Sequence, residues 1–242
     1  MIDLRHRAAD ARELMDDPDC DVDALELTYG HFATVNAAVS DIGGIFADEI
    51  APRAMGRSAS RPVRVLDIGT GGADLPRALL TRAARAGLPL EVVAIDPDPR
   101  AIGWARTQAL PPGLDLREAT TADLVAAGER FDVVLSNHVV HHLDARELGA
   151  LFADSEALLA PGGVAAHHDL ARSRLGYVGY DLGMRVLYPT LFRGSLLHVD
   201  GLISIRRSHT PRELRHALPP GWSVRHYRVP WRLVIRHERP HE

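Results

Sequence analysis

The feature that most restricts the fold is the stretch Val65-Leu66-Asp67-Ile68-Gly69-Thr70-Gly71-Gly72-Ala73. A short apolar run, long enough for one buried strand, ends in a glycine-rich turn, and a helical pattern starts at Asp74. Glycine lets the turn reach positive φ and lets a ligand approach the backbone. The free amides at the start of the helix then favour an anionic group. The alternation continues through residues 61–170, where apolar runs separate helical patterns, as in βαβ units of a parallel sheet. Strands are expected at residues 63–68, 91–95, 114–118, 131–136 and 163–168. Leu148, Leu151, Phe152, Leu158 and Leu159 share a helix face, and Pro161-Gly162-Gly163 is expected to stop that helix.

The flanking regions read differently. In residues 1–60, Leu25, Tyr29, Phe32, Val35 and Val39 recur at helical spacing, and residues 52–62 form a breaker-rich connection. Residues 171–205 are apolar and hold three of the five tyrosines. Thr210-Pro211-Arg212-Glu213 has the form of a capped helix start. Residues 222–228 and 231–236 read as two strands joined by a tight turn at Val229-Pro230. The expected layout is an N-terminal helical lid over 1–60 and an α/β core over 61–242, with a helical lid inserted at 171–205.

At 242 residues the chain can bury a sizeable core. No apolar run reaches the ~20 residues of a membrane span. Asp3, Arg5, Arg7 and Asp10 near the N-terminus do not read as a signal peptide. A single cysteine, Cys20, allows no internal disulfide and no thiolate metal site, which suits the cytoplasm. A net charge of −4 disfavours a nucleic-acid partner. The charge is unevenly spread: residues 1–60 hold twelve acids and five arginines, residues 171–242 thirteen arginines and five acids. Those segments are expected to lie against each other or to attract at a contact between two copies of the chain.

Asp67 stands at a strand end beside a turn of backbone donors, which suits the amino and carboxylate groups of an amino-acid zwitterion. Asp96 ends the next strand, where a carboxylate can accept from both ribose hydroxyls. A dinucleotide site is disfavoured, because Asp74 occupies the place of the third small residue of G-x-G-x-x-G/A and would repel a pyrophosphate.

These motifs resemble the class I S-adenosylmethionine-dependent methyltransferases. Asp67, Gly69, Thr70 and Gly71 match that family's first motif, with Ala73 in place of its frequent last glycine, and Asp96-Pro97 matches the ribose-binding acid and its neighbour. Ala122-Asp123 resembles the adenine-contacting pair, and Phe131 to Asn137 the fourth-strand motif, with Asn137-His138 following as cofactor contacts. Leu158-Leu159-Ala160-Pro161-Gly162-Gly163 is similar to the approach to the fifth strand. The resemblance covers roughly 61–237. It implies a Rossmann-like, seven-stranded, mostly parallel sheet with an antiparallel last strand, and S-adenosylmethionine as cofactor.

Ligands of open α/β sheets bind outside the carboxyl ends of the strands. Two histidine-rich segments end there, Asn137 to Asp144 and His167-His168-Asp169. An imidazole titrates nearest neutrality, so His141 or His142 is expected to take the acceptor's proton, with Asp169 orienting the ring. The same histidines packed or capping a helix is the structural alternative. A metal is not expected, since adjacent His141 and His142 seldom face one ion from a helix. Tyr29-Gly30-His31-Phe32 with Val35, Asn36 and Ser40 is similar to the N-terminal segment of quinone-biosynthesis methyltransferases, and the whole chain to methyltransferases of polyketide pathways. The expected acceptor is a small aromatic or lipid-like molecule, O-methylated at a phenol, with Tyr29, Tyr180 and His198 lining its pocket. Alternatives are C- or N-methylation on the same scaffold, or a noncatalytic cofactor-binding protein.

Overall fold

The computed structural model describes residues 3–228 and 231–241; the expected turn at Val229-Pro230 lies outside them. One seven-stranded sheet runs in the order β3-β2-β1-β4-β5-β7-β6. Strands β1 (Val63–Ile68), β2 (Leu90–Asp96), β3 (Leu114–Glu118), β4 (Phe131–Asn137) and β5 (Leu159–Leu170) are parallel. The sheet is completed by β6 (Ser223–Arg228) and β7 (Trp231–Glu238), with β7 antiparallel to both β5 and β6. The chain reverses its strand order at β1 and β4, and the carboxyl ends there open a crevice.

Both sheet faces are buried, which explains the near-continuous apolar strands. Alternate residues serve opposite layers. Leu66, Ile68, Val93, Ile95 and Val134 pack with Leu148, Leu151 and Phe152 on one side. Val63, Val65, Val92, Val133 and Leu135 pack with Ile45, Ile50, Leu75 and Leu79 on the other.

Helix α1 (Val22–Val39) starts at Asp21, whose side chain accepts from the Ala24 amide. The short helices α2 (Ile42–Ile45) and α3 (Ala51–Ala54) flank a π-helical turn and cover one face of the sheet. Helices α4 (Asp74–Ala86), α5 (Pro99–Thr107), α6 (Thr121–Ala126) and α7 (Ala145–Leu158) connect the parallel strands. After β5 come α8 (Arg174–Leu187), α9 (Leu197–Arg207) and α10 (Pro211–Ala217). The last begins with the expected capping box of Thr210 and Glu213.

The Pro161-Gly162-Gly163 stop is shifted. Helix α7 already ends at Leu158, and β5 runs through the three residues with a register irregularity against Phe131/Val133. The opposite charges of the two ends do meet, through Asp16–Arg207, Asp41–Arg232 and Glu49–Arg236. In α8 the apolar residues Leu175, Val178, Leu182 and Val186 are exposed, so little of this helix contributes to a pocket.

Candidate active site

A cavity of about 520 Å³ opens at the carboxyl ends of β1, β2, β4 and β5. Its floor is the β1–α4 turn. Gly69 and Gly71 have φ of +66° and +52°, and Ala73, which carries a Cβ, also adopts a left-handed conformation before α4. A Cβ on Gly69 would sit 2.6 Å from a Val139 methyl, so glycine is needed both for the turn and for the approach of the β4 exit.

Asp67, Gly69, Thr70, Gly71, Asp96, Pro97, Asn137 and His138 all line this cavity. Asp67 is buried, with Oδ2 unpartnered, and burial pushes its pKa up to about 7. Thr70 Oγ1 and Asn137 Oδ1 are also buried without partners. These unmet polar atoms fit the amino-acid end of S-adenosylmethionine, whose ammonium would stabilise the charged form of Asp67. Asp96 braces the turn: one oxygen accepts from the Gly71 amide at 2.9 Å, the other from Asp98 at 2.9 Å. A carboxylate offers about four acceptor positions, so two remain for a ribose. Ala122 and Asp123 do not line the cavity. The Asp123 carboxylate is exposed and closes the α6 capping box with Thr120 through one oxygen, Oδ2.

The β4 exit also borders the cavity. His138 sits at φ +61°, an uncommon conformation for a residue with a Cβ. It is held by Ser40, whose hydroxyl lies 2.8 Å from His138 Nε2 and accepts from Asn137. Residues 140–142 form a 3-10 turn that places the His141 and His142 rings 4.2 Å apart.

Asp169, at the end of β5, holds His141 twice: Oδ1 lies 2.7 Å from Nδ1, and Oδ2 accepts the His141 backbone amide at 2.6 Å. His141 Nε2 lies 3.3 Å from Oε1 of Glu13, itself buried. Burial alone would lower the His141 pKa, but the charge and hydrogen bond of Asp169, with those of Glu13, raise it to about 10. The same interactions overcome burial at Asp169 and hold its carboxyl far below the usual range. These contacts favour the protonated form of His141, whereas His142 stands beside it at the cavity edge. That ring is half-buried, with Nδ1 3.3 Å from Asp16 and Nε2 3.8 Å from Glu13.

The geometric reason for expecting no metal does not hold on a 3-10 turn: Glu13, His141 and His142 present ligand atoms all within 4.8 Å of one another. His167, by contrast, is a satisfied core residue, bonded to Ser136 and Ser155, with burial depressing its pKa to about 3.

Residues 3–20 complete the wall, although no periodicity marks them. Asp200 accepts the Leu14 and Met15 amides, Ser204 donates to Glu13, and Arg7 donates to the His141 and Leu143 carbonyls. Tyr29, Phe32 and Val35 from α1 and Tyr180, Leu197 and Ile205 from α8 and α9 also line the cavity. Tyr180 is fixed by donating to the Leu197 carbonyl at 2.5 Å. His198 is not in the cavity. Its ring lies 2.9 Å from Asp181 on the outer side of α8 and α9.

Residues 65–163 match the model of a methyltransferase domain, and the fold, glycine turn and cavity resemble those of S-adenosylmethionine-dependent methyltransferases. More particularly, the chain is similar to ubiquinone biosynthesis O-methyltransferases. It is 45% identical to that of Cereibacter sphaeroides over 135 residues, 55% of this chain and 51% of that protein. With that of Azorhizobium caulinodans it shares 32% identity over 157 residues, 62% of this chain and 59% of the relative. The chain thus spans about half the length of the curated relatives it matches. In fold it is similar to an O-methyltransferase family protein from Burkholderia thailandensis (TM-score 0.60, 16% identity, 91% of this chain and 61% of that one). It is also similar to magnesium protoporphyrin IX methyltransferase from Synechocystis with bound SAM (TM-score 0.51, 16% identity, 83% and 78%).

Proposed function

We propose that this chain transfers a methyl group to a phenolic hydroxyl of a small quinone-related or polyketide-type acceptor. The observation that carries the reading is the buried Asp169–His141–Glu13 row, with His142 beside it, at the edge of the cofactor cavity. Bound S-adenosylmethionine supplies a methyl group on a positively charged sulfur, open to attack by a nucleophile held in line.

The protein's tasks are then to orient the acceptor and remove its proton. The rings and aliphatic groups of Tyr29, Phe32, Leu197 and Ile205 make an apolar wall for an aromatic acceptor. Imidazolium His141 stabilises the forming phenolate electrostatically. His142 Nε2 takes the hydroxyl proton, and Asp16 at Nδ1 fixes the ring and steadies its charge. The similarity to O-methyltransferases of ubiquinone biosynthesis supports oxygen over carbon or nitrogen as the nucleophile. Incubation with S-adenosylmethionine and a panel of catechols, phenols, enols and amines tests the reading. O-methylated phenols, formed with a kcat at least ~100-fold lower in His142→Ala, are expected. Exclusive C- or N-methylation, or an unchanged kcat in the variant, overturns it.

A second reading assigns the acidification of the hydroxyl to a divalent cation on Glu13, His141 and His142. It is favoured by the convergence of their ligand atoms and by a carboxylate at the Nδ1 of each imidazole, the outer arrangement typical of metal-bound histidines. Stoichiometric metal after dialysis, lost in Glu13→Gln, together with chelator-sensitive turnover, selects this reading. Chelator-insensitive turnover selects the first.

A further inference from the structure

A second cavity, of about 420 Å³, lies between the segment 41–52 and strands β5, β6 and β7. Most of its charges are already matched. Arg232 donates to Asp41 at 2.8 Å and to the Ser40 carbonyl at 3.0 Å, and Arg236 pairs with Glu49 and Glu238. Arg225 and Asp48, both exposed, have no such partner among the described residues and form the rim.

Its inner end is not matched. Arg232 and His168 are each only 4% exposed, yet Arg232 Nε and His168 Nε2 have no hydrogen-bond partner. Their chemistry can be assigned. His168 Nδ1 faces an Arg232 Nη at 3.4 Å, which has only hydrogens to offer, so Nδ1 accepts and the proton sits on Nε2. Burial, helped by the charge of Arg232, holds this imidazole neutral. Two residues of the cavity wall thus carry buried N–H donors without partners, each costing about 1–3 kcal/mol while unmet.

We propose that this cavity binds a small monocarboxylate, its two oxygens accepting from Arg232 Nε and His168 Nε2, with Arg225 attracting it at the rim. One negative charge is favoured over two because Asp48 stands at the entrance and Asp41 and Glu49 line the walls. The Val234 side chain and the Tyr227 ring, which stacks 4.9 Å from the Arg232 guanidinium, accommodate a short apolar tail. Arg232 reaches the methyl-transfer cavity through Ser40, whose hydroxyl contacts His138 and Asn137. The binding itself does not depend on which acceptor is methylated.

The test is calorimetric titration of the whole chain with benzoate, acetate and inorganic phosphate, with and without saturating S-adenosylhomocysteine. Benzoate is expected to bind one site, tighter than phosphate, and to bind whether or not the nucleotide is present. His168→Phe should weaken it about tenfold or more and Arg225→Gln about threefold. If melting shows that His168→Phe does not fold, the exposed Arg225→Gln decides alone. No saturable benzoate binding at tens of millimolar, phosphate binding as tightly, competition by S-adenosylhomocysteine, or unchanged affinity in the folded variants each overturns the proposal.

Discussion

Replacing Asp169 with asparagine keeps the size of the side chain and removes its charge. In the native protein the carboxylate accepts from the His141 ring at 2.7 Å, the His141 amide at 2.6 Å and the Leu170 amide at 2.7 Å. The variant leaves a buried imidazolium balanced by Glu13 alone. Breaking one side of a buried pair costs about 3–5 kcal/mol, and asparagine's remaining acceptor returns part, so about 3 kcal/mol is expected. In a domain of this size that lowers Tm by roughly 6–12 °C.

The pH dependence has a definite sign. The folded His141 pKa, near 10, lies above its unfolded value of about 6.5, so its contribution is complete below about pH 6.5 and is lost as pH rises toward 10. The stability gap between wild type and Asp169→Asn should therefore be widest in mildly acidic solution and narrow above pH 8. Chemical denaturation at pH 6 and pH 9.5, with NMR of the imidazole nitrogens, checks this. An unchanged melting point, or a His141 ring that titrates near 6.5 in the wild type, would refute the assignment of a fixed imidazolium.

Other outcomes follow from the same geometry. Gly69→Ala places a Cβ at positive φ and against Val139, so it should cost about 1–3 kcal/mol of stability and weaken S-adenosylhomocysteine binding at least tenfold by calorimetry. Asp67 must be ionised to hold an ammonium, so affinity for that nucleotide should fall about tenfold from pH 8 to pH 6. Asp67→Asn should bind weakly with little pH dependence, and a pH-independent wild type would contradict this. His198→Ala, outside the cavity on a surface pair with Asp181, should change Tm by only a few degrees and leave kcat within about twofold. A large loss of turnover would place His198 in the site after all.

The parts of this molecule that were legible in its sequence are those set by local chemistry. The β1 turn announces itself because Gly69 and Gly71 adopt positive φ, and the strands stand out as short, near-continuous apolar runs because both sheet faces are buried. Local motifs also mislead where two roles share one residue type. Asp123 closes a helix cap through Oδ2, and His198 pairs with Asp181, and neither lines the cavity. Glu13 was not legible at all. It belongs to an irregular segment placed by Asp200, Ser204 and Arg7, contacts that arise only after the chain has closed on itself. The adjacency of His141 and His142 was visible, but not the 3-10 turn that lets both rings face Glu13.

If the β1 turn and the unpartnered atoms of Asp67, Thr70 and Asn137 hold the amino-acid end of S-adenosylmethionine, nucleotide binding depends on Asp67. Isothermal titration with S-adenosylhomocysteine, on wild type and Asp67→Ala side by side, tests it most directly. One saturable site in the wild type, at least tenfold weaker in the variant, is predicted. Absence of heat with that nucleotide, or tighter binding of NAD to the same cavity, would contradict the account.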